Sequence, residues 1–101
     1  MKLDKKEFLR TETGISMRSC IQLLDEALEK KSSFYYGSAE YEEHAGMAWY
    51  CMAQWEVYKI ILRELFGREY CFSRTDEYFG VCTEDERDWL FKVERLSDKV
   101  C

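Results

Sequence analysis

The stretch SAEYEEHAGMAWYCMAQWEVYKIILRELFG, residues 38–67, decides the fold. It opens on Ser38, whose hydroxyl suits the free amides at a helix start, and continues with Glu40, Glu42 and Glu43, where the helix dipole favours acids. It closes on Gly67, the residue type that most readily takes the left-handed conformation ending a helix. No proline interrupts it. The pattern predicts one helix over residues 38–66, with Met47, Cys51, Tyr58, Leu62 and Leu65 sharing a face. Glu56, Lys59 and Arg63 form a narrow stripe opposite, and most of the circumference is apolar, as in a central or interface helix. At about 1.5 Å of rise per residue the helix is ~43 Å long. A domain of 101 residues has a radius of gyration near ~13 Å. The helix therefore either bends at Gly46 or projects against a second copy, an approach that Ala45, Gly46 and Ala48 permit.

Upstream, residues 4–12 read as a short helix capped by Asp4, with Leu3 and Phe8 at hydrophobic-staple spacing and Gly14 as the break. Met17, Cys20, Ile21, Leu24, Ala27 and Leu28 then give one apolar stripe to a helix over residues 16–31. Phe34-Tyr35-Tyr36-Gly37 is an aromatic loop. Downstream, residues 70–74 and 78–82 are strand-like about Thr75-Asp76-Glu77, and Gly80 marks a bulge or a close backbone approach. Thr83-Glu84-Asp85-Glu86 matches a capping box, and Trp89, Leu90, Val93 and Leu96 follow at helical spacing. Trp89, Phe91 and Val93 also alternate as a strand would, but the cap and the late cations Arg95 and Lys99 favour helix over residues 84–96. The predicted fold is a single α+β domain, residues 1–101. It has three to four helices around the long one and a small antiparallel hairpin after it.

Composition narrows the function classes. With 47% hydrophobic residues the chain can bury one core without disulfides or metal, which excludes intrinsic disorder. Fifteen basic against twenty acidic residues, a net charge of −5, argue against direct nucleic-acid binding, which rests on neutralising phosphates. A basic partner surface suits this charge better. No apolar run approaches the ~20 residues of a membrane span, and MKLDKKEFLRTETG carries charges where a signal peptide is apolar. Five cysteines, odd in number and without a CxxC, read as reduced thiols, so the expected location is cytoplasmic.

No motif names a reaction. The single histidine, His44, stands seven residues before Cys51, ~10.5 Å along a helix, too far for a nucleophile–base pair. Cys51, Cys71, Cys82 and His44 are weak candidates for a zinc site, lacking the close ligand pairs such sites show. A two-residue turn at Asp76-Glu77 would set Cys71 opposite Cys82. No cofactor is expected, and an enzyme with an aromatic-lined pocket has no catalytic residue behind it. Trp49 and Met52 fall beside the Glu56–Lys59–Arg63 stripe, toward solvent in a monomer, and Trp is a frequent binding anchor. The expected function is a small acidic protein-interaction module anchored by Trp49, Met52 and Glu56, extended by Tyr35 and Tyr36. The acidic Glu84, Asp85 and Glu86 would meet a basic surface, as in an inhibitor covering a nucleic-acid-binding site of its partner. The partner is another protein or a second copy of the chain, and the alternative is a zinc- or thiol-dependent protein built on the Cys/His set.

Overall fold

Within residues 3–95, the part that the computed structural model describes, three helices precede a three-stranded antiparallel sheet. The helices are α1 (Lys5–Arg10), α2 (Glu12–Lys31) and α3 (Ala39–Phe66), and the strands are β1 (Cys71–Arg74), β2 (Tyr78–Cys82) and β3 (Trp89–Glu94). The α+β class and the long helix agree with the sequence reading.

α3 runs for 28 residues straight through the Gly46 position. The Ser38 hydroxyl accepts the Tyr41 amide at 3.1 Å, and Gly67 ends the helix with φ 69°. Its inward face is Ala48, Cys51, Trp55 and Leu62, all buried, with Tyr58 partly so. The predicted face is thus rotated: Met47 and Leu65 are exposed and Trp55 holds the core position. α2 sets that rotation. Its buried stripe of Met17, Cys20, Ile21, Leu24 and Ala27 lies against α3 so closely that the Cys20 thiol donates to the Cys51 carbonyl at 3.3 Å.

Gly14 breaks nothing. It is buried in the first turn of α2, where a Cβ would stand 2.0 Å from the Phe8 carbonyl oxygen, so only glycine lets the end of α1 rest there. Thr11 separates the two helices and caps α2 by accepting the Gly14 amide at 3.0 Å.

β1 and β2 form the predicted hairpin, with Cys71 opposite Cys82 and the turn closed by the Thr75 amide on the Tyr78 carbonyl at 2.7 Å. The segment beyond is a correction. Residues 84–96, predicted as helix, form a loop and β3 up to Arg95, and Leu96, Lys99 and Cys101 lie outside the described residues. Thr83 caps a loop instead: its hydroxyl donates to Asp85 at 2.6 Å and accepts the Asp88 amide at 3.2 Å. Glu86 takes φ 58°, from which no helix continues. The free edge of β2 then pairs with β3, and a register shift at Val81/Cys82 sets Phe91 and Trp89 opposite them, skipping Leu90. Leu90 and Phe91 are consequently both buried, which spoils the simple alternation of a strand.

The sheet is fastened to α2 through a charge. Asp25, only 5% exposed, accepts from Arg74 Nε at the end of β1 (2.9 Å) and from both terminal nitrogens of Arg95, just after β3, Nη1 at 3.0 Å. Arg74 reaches on to Glu29 at 2.8 Å, and burial, which disfavours its charge, is outweighed by the two acids, so its pKa is raised. Removing one partner from a buried ion pair leaves its counter-charges uncompensated. Asp25→Ala is expected to cost about 3 kcal/mol in urea unfolding. A loss below about 1 kcal/mol would show that the sheet is held by apolar packing alone.

Candidate functional site

A run of exposed apolar residues lies on the outward side of α3. At 100° per residue, Gly46, Tyr50, Ala53, Val57 and Ile60 lie on the side opposite Trp55, and Trp49 borders them. Trp49 is 76% exposed, and Tyr50, Val57 and Ile60 are each more than half exposed. Neither the hairpin nor α1 covers Trp49. Met52, 39% exposed, sits nearer the core, and Glu56 pairs with Lys59 at 3.8 Å on the flank. The Glu56–Lys59–Arg63 stripe is therefore a side of the helix rather than its back. Tyr50, Val57 and Ile60 escaped the sequence reading because a helix apolar all round does not announce its inward face. The alternating four- and three-residue steps 46-50-53-57-60 carried the signal.

The other expected contact residues lie at the two ends of α3. Tyr35 and Tyr36, 90% and 88% exposed, precede the helix, with Tyr36 tilted against Tyr41 at 5.0 Å between ring centres. Glu84, Asp85 and Glu86 sit in the β2–β3 loop, tied to the chain after α3 by Arg68 on Asp88 at 2.7 Å. The two groups are thus on the order of 40 Å apart along the helix, with the Trp49 region between them. The acidic loop is also interleaved with cations, because Arg68 and Arg87 border the same shallow cleft as Glu84 and Asp85. The Thr83 hydroxyl and the Arg87 amide, both donating to Asp85, hold its carboxyl below the usual range.

Asp88 anchors that loop. Burial would raise its pKa, but Lys5, the Tyr70 hydroxyl (3.0 Å) and Arg68 outweigh burial and hold it below the ordinary value. Tyr70 is pushed up to about 12, first by burial and then by this same carboxylate.

The thiols are structural in their surroundings. Cys20 and Cys51 are buried between α2 and α3, and Cys71 lies beside Cys82 with its thiol donating to the Cys82 carbonyl at 3.3 Å. Burial raises the Cys51 pKa and carries Cys20 and Cys82 up to about 11, with Cys51 and Cys71 respectively adding to it. His44 is half-buried and stacks on Phe34 with ring centres 5.5 Å apart. Among the described residues no three His, Cys, Asp or Glu side chains gather as metal ligands would, so the structure does not assemble Cys51, Cys71, Cys82 and His44. The cleft beside α3, lined by Glu56, Val57, Lys59, Ile60, Arg63 and Tyr70, is about 270 Å³ and brings no histidine or thiol together with its acids.

No family model matches the chain, and neither curated proteins nor solved structures yield a match. No described helix is long and apolar enough to cross a membrane.

Two measurements check this description. A carboxylate whose folded pKa is depressed contributes stability that is complete above its unfolded value, near 3.8, and is lost as pH falls through the folded one. Asp88→Asn should therefore lower stability at neutral pH by about 2 kcal/mol and flatten the acid-unfolding curve below about pH 4. An unchanged acid limb would contradict the anchoring role. At pH 8 a thiol with a pKa near 11 is roughly one part in a thousand thiolate. Cys20 and Cys82 should label over 100-fold more slowly in the native chain than in urea, as read by peptide mapping. Equal labelling rates in the two conditions would contradict their burial.

Proposed function

We propose that this chain is a protein-interaction module whose working surface is the outward face of α3. One observation carries the proposal: Trp49, Tyr50, Val57 and Ile60 are exposed apolar residues along one side of a helix whose other side places Ala48, Cys51, Trp55 and Leu62 in the core. Soluble monomers rarely expose contiguous apolar patches above a few hundred Å², and larger ones mark partner sites. Trp and Tyr supply large contact areas at low cost in side-chain entropy, and the Glu56–Lys59 flank provides a charged rim. The acidic Glu84–Glu86 loop supports a partner with some basic surface, including an inhibitor that shields a nucleic-acid-binding site, although Arg68 and Arg87 temper its charge. Among the described residues, the buried free thiols of Cys20, Cys51 and Cys82 fit a reducing, cytoplasmic setting.

The test is the double substitution Trp49→Ala, Met52→Ala. Trp49 lies on the surface and Met52 is partly packed, so the fold should be retained with a loss of stability below about 1.5 kcal/mol. Cross-linking with mass-spectrometric readout, on the purified chain and in extracts of cells expressing it, should lose its specific products. Identical cross-link patterns for the wild type and the double variant would remove this face as the working surface.

A further inference from the structure

We infer that the outward face of α3 pairs, antiparallel, with the same face of a second copy of this chain. The inference rests on the interaction-module reading and names its partner. The seam is Gly46, Tyr50, Ala53, Val57, Ile60 and Glu64, alternating steps of four and three residues, the spacing that keeps one line of side chains facing a partner helix. All six are exposed, in a helix whose core contacts lie on the opposite side.

The seam fits itself in one direction. Small residues occur at positions 46 and 53 and large ones at 50, 57 and 60. With two copies antiparallel about a point between residues 51 and 52, Tyr50 meets Ala53 of the other copy and Val57 meets Gly46. Tyr50 and Val57 thereby fill the spaces that the small residues leave, on both sides of the two-fold axis, while Ile60 falls opposite Glu43 toward the rim. Charge agrees. Glu42 and Arg63 flank the seam on the same side, one at each end, and the antiparallel register brings each beside its opposite in the other copy. Trp49 falls beside Glu56, and Glu64 falls at the start of the other α3, where the helix dipole favours an acid. A parallel arrangement would stack Tyr50 on Tyr50 and Glu64 on Glu64. Trp49, Tyr50, Val57 and Ile60, each more than half exposed, supply the apolar centre of such an interface, and the charged flank supplies its rim.

Sedimentation equilibrium over a concentration series tests the pairing, with circular dichroism and thermal unfolding as controls for folding. The wild type should dimerise, and Ala53→Glu, at an exposed position in good helical context, should raise the dimer Kd at least about tenfold without loss of helicity. Ile60→Lys provides a second, independent disruption. Glu42→Arg and Arg63→Glu should each weaken the dimer about two- to fivefold, and the double swap should restore it. A dimer indifferent to both Ala53→Glu and Ile60→Lys overturns the interface, and failure of the double swap to restore the single ones overturns the antiparallel register. A wild type that stays monomeric at about 0.1 mM but whose cross-links to other proteins depend on Trp49 and Met52 overturns self-pairing and leaves the module reading standing. A monomer without that dependence overturns both.

Discussion

The pairing of Asp25 with Arg74 and Arg95 sets how the sheet sits against the helices. A carboxylate taken out of water is costly unless its lone pairs are met, and here two guanidinium groups meet them from the two edge strands of the sheet. Arg95 extends the clamp further: its Nε donates to the Thr75 carbonyl at 2.8 Å, and its amide donates to the Glu77 carbonyl at 2.8 Å. One carboxylate on α2 therefore holds β1, β3 and the turn between β1 and β2. Apolar packing of Phe79, Val81 and Phe91 in the core with Trp55 drives the sheet onto the helices, but it is non-directional. The charge fixes where the sheet sits. With sheet and α2 both assigned to one side of α3, the opposite side of that helix is left bare.

The sheet explains how a sequence can mislead. Gly80 was readable as a place of close approach, and a Cβ there would stand 2.3 Å from the Phe91 carbonyl and 3.1 Å from the Trp89 ring. Trp89 lies across that gap, edge-on to Tyr78 with ring centres 5.3 Å apart, and Lys92 stands 4.3 Å from the Tyr78 ring and 5.0 Å from that of Trp89. Glu86 is held by the Tyr78 hydroxyl at 3.1 Å, and its carbonyl by the Trp89 indole at 3.0 Å. Apart from the Trp89 indole on Glu86 and Lys92 beside Trp89, each three residues apart, these contacts join β2 to the segment after it. The Thr83–Glu86 pattern carries the chemistry of a helix start, because a hydroxyl three residues before an acid caps loops and helices alike. The decision belonged to the unpaired edge of β2, which no window of residues 84–96 contains.

α3 shows the same division between what is local and what is not. Its length, its Ser38 cap and its Gly67 stop follow from propensity and backbone conformation, and they were legible. Its rotation was not. Trp55 and Trp49 are six residues apart and chemically identical, yet one is buried and the other is 76% exposed. The close approach of α2, marked by the Cys20 thiol on the Cys51 carbonyl, and the sheet residues that share Trp55's core distinguish them. The same holds for the candidate surface. Trp49 and Met52 were identifiable by their position near charges, whereas Tyr50, Val57 and Ile60 become a surface only once the inward face is known.

A net charge of −5 bears on self-pairing, since two copies brought together repel. The distribution of charge decides how strongly. Among the described residues, Asp25 and Asp88 are neutralised by cations inside their own chain, and Glu84, Asp85 and Glu86 lie beyond the C-terminal end of α3. Along the seam the charge is mixed, with Glu42, Glu43, Glu56 and Glu64 set against Lys59 and Arg63. At physiological ionic strength the Debye length is about 8 Å, so charges at the far ends of a helix on the order of 40 Å long contribute little to the repulsion at its middle. What remains at the seam is apolar contact plus a few opposite charges at close range. Such an interface should lose little when salt is added, because screening removes the long-range repulsion between copies along with the short-range attraction at the flanks. The α3 face owes its capacity for contact to the apolar strip, and the acids elsewhere keep the rest of the surface from competing for it.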